Sequence, residues 1–406
     1  MISDEFNNQN DKLKLIASEN YASLAVIQAQ GTFFTNKYAE GYPGRRFYAG
    51  CEEMDRVENK AIELACKLFN CKFANVQPCS GSQANQAVMF AFLNPGDKFL
   101  AMSLKDGGHL THGHKITMSG KWFSPVHYHV NKDGFIDMNE VRKLALENKP
   151  KLIICGASAY SRKIDFAAFR SIADEVGAIL LSDIAHYSGL IAGKAYPSPF
   201  PYSHVVTTTT HKTLRGPRGG MILCDDKEIA DKIDRAVFPG IQGGPLMHVI
   251  AAKLVAFEEA LSLDFAKYAS QVVKNAKVVA DVFKSRGIKV FSGGTDSHLV
   301  LLDLTNAQIS GIEAENILNW SGLVVNKNAI PNDNQTPFIA SGIRIGTSAC
   351  TTRGMKEKEF EKIANMICDK IENQRDSIDN LITRTKIDVA KLCNDFPIYY
   401  KKSFGF

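Results

Sequence analysis

The chain has 406 residues, 45% hydrophobic and 22% charged, which is ordinary for a soluble globular protein and enough for two or three domains. Its net charge is only +5, with no dense Lys/Arg block and no aromatic–basic interleaving, so no nucleic-acid partner is expected, although a locally positive cleft for an anionic ligand stays open. Nine cysteines spread from Cys51 to Cys393 without a CxxC pair suit reduced thiols. The polar, acidic N-terminus does not read as a signal peptide, and no apolar run approaches the roughly 18 residues that cross a bilayer. The expected location is the cytoplasm, with no membrane partner.

In chain order, residues 1–50 lack a core pattern of their own and read as an arm with one short helix around 24–30. From about 55 onward helical and strand signals alternate. Helices are expected at 57–69 and 83–93, the second after the loop Cys79-Ser80-Gly81. A strand at 152–155, a helix at 166–176 and strands at 178–183, 204–209 and 221–224 follow. Short, fully apolar strands separated by helices predict an α/β fold with a mainly parallel central sheet covered by helices. A long helix at 264–286 carries Phe265, Val272, Ala276, Val279 and Phe283 on one face. Strands at 290–291, 298–304, 324–326 and 343–346, with helices at 312–320, 356–378 and 384–394, then read as a smaller α+β unit. The expected division is an arm over 1–50 that makes dimer contacts, a large α/β domain over 51–279 and a small C-terminal α+β domain over 280–406.

The segment Thr207-Thr208-Thr209-Thr210-His211-Lys212-Thr213-Leu214-Arg215-Gly216-Pro217-Arg218-Gly219-Gly220 places Lys212 between a β-branched run and a Pro/Gly turn. A lysine held stiffly at a strand end can form a Schiff base with an aldehyde cofactor, as pyridoxal phosphate enzymes require. Alone it would by default be a solvated surface lysine; its company argues otherwise. Asp183 closes the apolar run 179–181, where a carboxylate faces the cleft of an α/β sheet and can pair with a pyridinium nitrogen. Ser80, Gly81 and Ser82 open a helix, and free amides with two hydroxyls make a phosphate cradle; by itself such a tripeptide is usually just a cap. Gly243, in Gly243-Gly244-Pro245, offers further amides from a distant loop or is only a turn. Arg344, among β-branched neighbours, suits a substrate carboxylate through two parallel hydrogen bonds, or is an edge-strand arginine. His109, His112 and His114 have no carboxylate or cysteine at ligand spacing, so no metal is expected, and stacking one imidazole on a cofactor ring is the better use.

These segments together resemble serine hydroxymethyltransferase. The match runs through Leu15-Ile16-Ala17-Ser18-Glu19-Asn20, Thr35-Asn36-Lys37-Tyr38-Ala39-Glu40-Gly41-Tyr42-Pro43-Gly44 and Gln77-Pro78-Cys79-Ser80-Gly81-Ser82. It continues through Gly107-Gly108-His109-Leu110-Thr111-His112, the Lys212 block, Phe238-Pro239-Gly240-Ile241-Gln242-Gly243-Gly244 and Ser341-Gly342-Ile343-Arg344. The resemblance implies a fold-type-I pyridoxal 5'-phosphate enzyme, a homodimer with shared active sites, that exchanges serine and tetrahydrofolate for glycine and 5,10-methylenetetrahydrofolate through a cofactor aldimine. Folate-independent aldol cleavage of β-hydroxy amino acids is implied as a side activity.

Carried over by position, Lys212 resembles the Schiff-base lysine and Asp183 the pyridinium partner, with His109 stacked on the ring and Ser158 and His186 on its hydroxyl. Gly81 and Ser82 match phosphate ligands, joined by Tyr38 and Gly243 from the neighbouring subunit, and Arg344 with Ser18 matches the carboxylate grip. His211 would shape specificity, while Glu40 and Tyr48 of the partner chain would face the hydroxymethyl group, Glu40 as its proton-transfer group. Leu104, Gly108, Leu110, Asn328 and the segment Thr336-Pro337-Phe338 match folate-contacting positions. The chain departs from the family pattern at Lys14, Phe47 and Ala49. The rival within the fold type is a folate-independent aldolase, which shares the lysine, aspartate and arginine but has no need of Glu40.

Overall fold

The computed structural model describes residues 1–372 and 378–399. A seven-stranded sheet organises the larger part of the chain. Its strands run across the sheet in the order Phe73–Asn75, Gly220–Cys224, Val205–Thr209, Ile179–Asp183, Leu152–Cys155, Lys98–Met102, Ser124–Tyr128. Only Gly220–Cys224 is antiparallel to its neighbours, so the sheet is mainly parallel as the alternation of elements predicts.

Successive strand residues bury opposite faces. Leu100, Met102, Ile153, Cys155 and Leu180 enter one apolar cluster, and Phe99, Ala101, Leu152, Ile154 and Leu181 enter another on the reverse side. Helices cover both clusters, which explains why these strands read as continuous apolar runs rather than alternating ones. The helices have local reasons to start and stop. Asp165 caps the helix Phe166–Val176, which ends at Gly177 with φ of 72°, a left-handed turn that favours glycine. Ser262 caps the long helix Leu263–Ser285.

Beyond that helix lies a second, four-stranded antiparallel sheet in the order Lys289–Val290, Leu299–Asp303, Gly342–Gly346, Asn326–Asn328. The helices Gly311–Trp320, Glu357–Glu372 and Ile378–Asp395 accompany it. The first carries a capping box in which Ser310 and Glu313 satisfy each other's backbone N–H groups. The stretch 373–377 of the helix expected at 356–378 lies outside the described residues. The long helix belongs to both cores: Phe265, Ala269 and Val272 join the first, Val279, Ala280 and Phe283 the second.

The N-terminal segment differs from the expectation in two ways. It holds a second helix, Ile2–Asn10, which has no buried residue and hence no apolar stripe to read. Its strand Leu13–Lys14 pairs with Leu323–Val324, and Leu13 and Leu15 are fully buried in the second core. The segment lacks a core of its own because it completes another. Among the described residues, no helix is long and apolar enough to cross a membrane.

Candidate active site

Chain order along the sheet reverses between Lys98–Met102 and Leu152–Cys155, and the carboxyl ends of the strands open there into a cavity of about 450 Å³. Asp183 ends one strand and is in register with Thr207 of the next, so the carboxylate and the segment leading to Lys212 leave the sheet side by side. Arg344 reaches the same cavity from the second sheet. Ser18, Ser80, Gly81, Ser82, His109, Ser158, His186 and His211 also line it.

The turn carrying Lys212 is stitched tightly. Thr210 Oγ1 donates to Pro217 O at 2.6 Å, Gly216 N–H donates to Thr210 O at 2.7 Å, and Asn20 Nδ2 donates to Lys212 O at 2.9 Å. Arg215 takes a left-handed φ of 60° and lies 4.5 Å from the Tyr268 ring centroid, a cation–π contact that anchors the turn. Burial pushes the Lys212 amine down to about 8, against the pull of Asp183 and with help from Arg344 and Arg218. Its neutral, nucleophilic form is therefore far more accessible than in a surface lysine.

Asp183 is held by three donors. His112 Nε2 lies 2.9 Å from Oδ2, Asn85 Nδ2 donates to the same oxygen at 2.8 Å, and Ala185 N–H donates to Oδ1 at 3.1 Å. Burial opposes its charge, but His112, His109 and Asn85 outweigh burial and keep the carboxyl well below the usual range. The tautomer of His112 follows from geometry: its Nδ1 accepts from the His109 N–H at 3.2 Å, so Nε2 carries the proton toward Asp183. His109 Nδ1 accepts from the Thr111 N–H at 3.2 Å, which leaves its proton on Nε2. Burial pushes this imidazole down to about 4, so it presents a neutral ring.

Ser80 caps the helix Gly81–Phe92 by accepting from Gln83 N–H at 3.1 Å. A Cβ on Gly81 would stand 2.6 Å from Thr209 Cγ2, so only glycine lets the helix start this close to the strand end beside the lysine. A twelve-residue helix begins there, and Ser80, Gly81 and Ser82 bring its free N-terminus and two hydroxyls to the cavity wall, where they could hold an anion. Arg344 is pinned by Nη1 donating to Ser158 O at 2.7 Å and Nε donating to Asn326 Oδ1 at 3.2 Å. Burial pushes the guanidinium down to about 10, still charged near neutrality, and its two hydrogen bonds use Nε and Nη1, not Nη2. It is a fixed cation with donors to spare.

Other expected residues lie elsewhere in the chain's own fold. Tyr38, Glu40, Tyr48 and Gly243 form a separate cluster: the Tyr38 hydroxyl donates to Glu40 Oε1 at 3.2 Å, Tyr48 packs edge-on against Tyr38, and a Cβ on Gly243 would lie 3.2 Å from Glu40 Oε1. None of the four lines the Lys212 cavity. Arg46 holds that turn through Ala39 O and Gly41 O, both at 2.9 Å, and is itself paired with buried Glu58 at 2.6 Å. Leu104, Leu110 and Phe338 are exposed, Asn328 Nδ2 donates to Ala329 O at 2.7 Å, and the Thr336 carbonyl accepts from Ile339 and Ala340 beyond Pro337. A Cβ on Gly108 would meet Met102 O at 2.3 Å, so this glycine already has a packing reason to be there. The sequence reading missed Glu19, Asn85, Thr209 and Arg218, which also line the cavity, and His112 and Thr111 behind it. Arg218 lay inside the Lys212 block; Asn85 carried no signal beyond its place on the cradle helix.

A buried low-pKa amine, a clamped carboxylate on the neighbouring strand and a helix N-terminus with two hydroxyls on the same cavity fit a phosphorylated pyridine aldehyde. With the doubly covered sheet, they define a fold-type-I pyridoxal phosphate enzyme. A family model described as Serine hydroxymethyltransferase matches residues 1–367. The chain is 57% identical to the serine hydroxymethyltransferase of Wolbachia pipientis subsp. Culex pipiens over 98% of this chain and 94% of that one. It is 59% identical to that of Ehrlichia canis, covering 93% and 90%, and 57% identical to that of Novosphingobium aromaticivorans, covering 98% and 92%. The chain belongs to the serine hydroxymethyltransferase family, pyridoxal phosphate-dependent one-carbon transferases that act on serine, glycine and tetrahydrofolate.

Proposed function

We propose that this chain carries out the serine hydroxymethyltransferase reaction with Lys212 as the amine for the cofactor aldehyde and Asp183 as the partner of its ring nitrogen. The observation that carries the reading is the convergence of Lys212, Asp183 and Arg344 on one cavity. When bound, the cofactor supplies an electron-accepting ring. Asp183, held ionised by its donors, keeps a proton on the ring nitrogen. Ser80, Gly81 and Ser82 would hold the phosphate, Ser158 and His186 would bond the ring hydroxyl, and neutral His109 would offer its ring for stacking.

Arg344, with Ser18, grips the carboxylate of serine or glycine and so sets which bond at the α-carbon faces the ring, an orientational task rather than acid–base work. His211, pushed down to about 3 by burial and by Arg218 and Lys212, remains a neutral wall beside the amine and limits substrate shape. Glu40 moves the proton at the hydroxymethyl oxygen, with Tyr48 beside it. Their separation from their own chain's cavity supports a homodimer in which Tyr38, Glu40, Tyr48 and Gly243 serve the neighbour's site. Leu104, Gly108, Leu110, Asn328 and Thr336-Pro337-Phe338 hold tetrahydrofolate; the exposure of Leu104, Leu110 and Phe338 suits a pterin and aryl ligand. We read the chain as the arm 1–50, a large domain 51–279 and a small domain 280–406, located in the cytoplasm, with folate-independent cleavage of β-hydroxy amino acids as a side activity.

The test is the visible spectrum of the purified holoprotein with glycine, before and after tetrahydrofolate, followed by borohydride reduction and peptide mapping. A glycine-dependent band that changes on adding folate, with the label on Lys212, is the expected result. A label on another side chain overturns the assignment. Equal rates of serine cleavage with and without tetrahydrofolate would favour the folate-independent aldolase.

A further inference from the structure

Lys253 lies on the helix Met247–Ala260 and is only 1% exposed. Its Nζ donates to the carbonyls of Val76 at 2.6 Å, Pro78 at 3.1 Å and Gly220 at 2.8 Å. Three acceptors at these distances need three N–H groups, so the geometry calls for the ammonium form even though burial pushes this amine down to about 7. Among the described residues Lys253 is in no ion pair; Glu58 and Cys79 favour its charge only from beyond contact, so the three carbonyls are what hold the buried cation. The three carbonyls belong to one place. Val76 follows the strand Phe73–Asn75, Pro78 stands just before the Ser80 cap, and Gly220 opens the neighbouring strand.

The surrounding backbone is shaped to this side chain. A Cβ on Gly219 would lie 2.5 Å from Lys253 Cε, and one on Gly220 would lie 2.3 Å from Ser80 O. Gly220 N–H also donates to Pro78 O at 2.9 Å, so the loop 76–80 is bound to the strand by backbone and ammonium together. We propose that Lys253 is a positioning residue for the phosphate cradle: it ties the loop before Ser80 to the strand at Gly220 and sets a fixed positive charge behind the first turn of the helix Gly81–Phe92. It raises affinity for the phosphate without touching it. This rests on the reading of Ser80, Gly81 and Ser82 as the cradle.

The test compares two aldehydes, pyridoxal 5'-phosphate and pyridoxal, binding to the full-length chain stripped of cofactor. Lys253→Met is expected to weaken pyridoxal phosphate by about tenfold, ~1.4 kcal/mol, and to change pyridoxal by less than about twofold. A merely structural role would weaken both ligands together; that outcome, or an unchanged phosphate ligand, overturns the inference. Gly219→Ala keeps the charge but displaces the side chain, so the same selective loss is expected from it, and it decides the matter if Lys253→Met does not fold. Ser82→Ala is run in parallel. A selective loss there with none at Lys253 removes only the Lys253 inference, whereas no selective loss at Ser82 removes the cradle reading and the inference with it.

Discussion

The Nε2–H of His112 points at Asp183 Oδ2 from 2.9 Å because the other ring nitrogen is already occupied by the backbone N–H of His109. One imidazole thus reads the loop conformation on one side and orients the carboxylate on the other. Asn85 closes the arrangement: Thr207 Oγ1 donates to its Oδ1 at 2.6 Å, which turns its amide N–H groups toward Asp183 and Thr111. Asp183→Asn should lower kcat by at least ~100-fold, since a neutral amide cannot keep the ring nitrogen protonated. His112→Ala should lower it by about tenfold, ~1.4 kcal/mol, because Asn85 still holds the carboxylate. Steady-state serine turnover on the two variants checks the order; equal losses would mean that His112 does more than orient.

Arg344 already gives two of its donors to Ser158 O and Asn326 Oδ1. A lysine in its place cannot hold those contacts and a carboxylate in one plane. Arg344→Lys is expected to raise the serine KM by about 100-fold, ~2.7 kcal/mol, with a smaller fall in kcat. A variant that changed kcat alone would place the substrate carboxylate elsewhere.

Lys212 gives a pH dependence with a definite sign. Its folded value near 8 lies below the ordinary 10.5, so between these the unfolded chain holds more protons than the folded one. Stability contributed at this position therefore rises as pH climbs through that window, and below about 8 the burial penalty is fully present. In cofactor-free protein, Lys212→Met should be the more stable form near neutrality by on the order of 3 kcal/mol, and the gap should close toward pH ~10. Urea unfolding of both proteins across that range measures it.

The separation of Glu40 from its own Lys212 cavity predicts complementation. Dimers of Lys212→Ala or of Glu40→Gln alone should be inactive, whereas a mixed dimer restores one native site of two. Random exchange of equal amounts should recover about a quarter of wild-type activity. No recovery, despite hybrids seen by native mass spectrometry, would exclude sites built from two chains.

Much of this was legible because strand ends punctuate sequences clearly. The β-branched run before Lys212 and the apolar run before Asp183 announce both where a strand stops and which residue meets the cleft. His112 was not legible, because three histidines interleaved with glycines give no hint of which one turns inward. The helix Met247–Ala260 escaped notice because nine of its residues, Lys253 among them, are buried and no polar face breaks the run into a readable period. Strands such as Ser124–Tyr128 at the sheet edge, half-buried and containing Pro125 and His127, look like loop until their neighbour Lys98–Met102 is in place.

The helix Leu263–Ser285 lends its first turns to one apolar cluster and its last turns to another. Melting either cluster alone would strip half of a continuous rod of its packing while leaving the other half ordered. The two parts are thereby locked into a common transition, and heating the chain should produce one calorimetric peak rather than a pair.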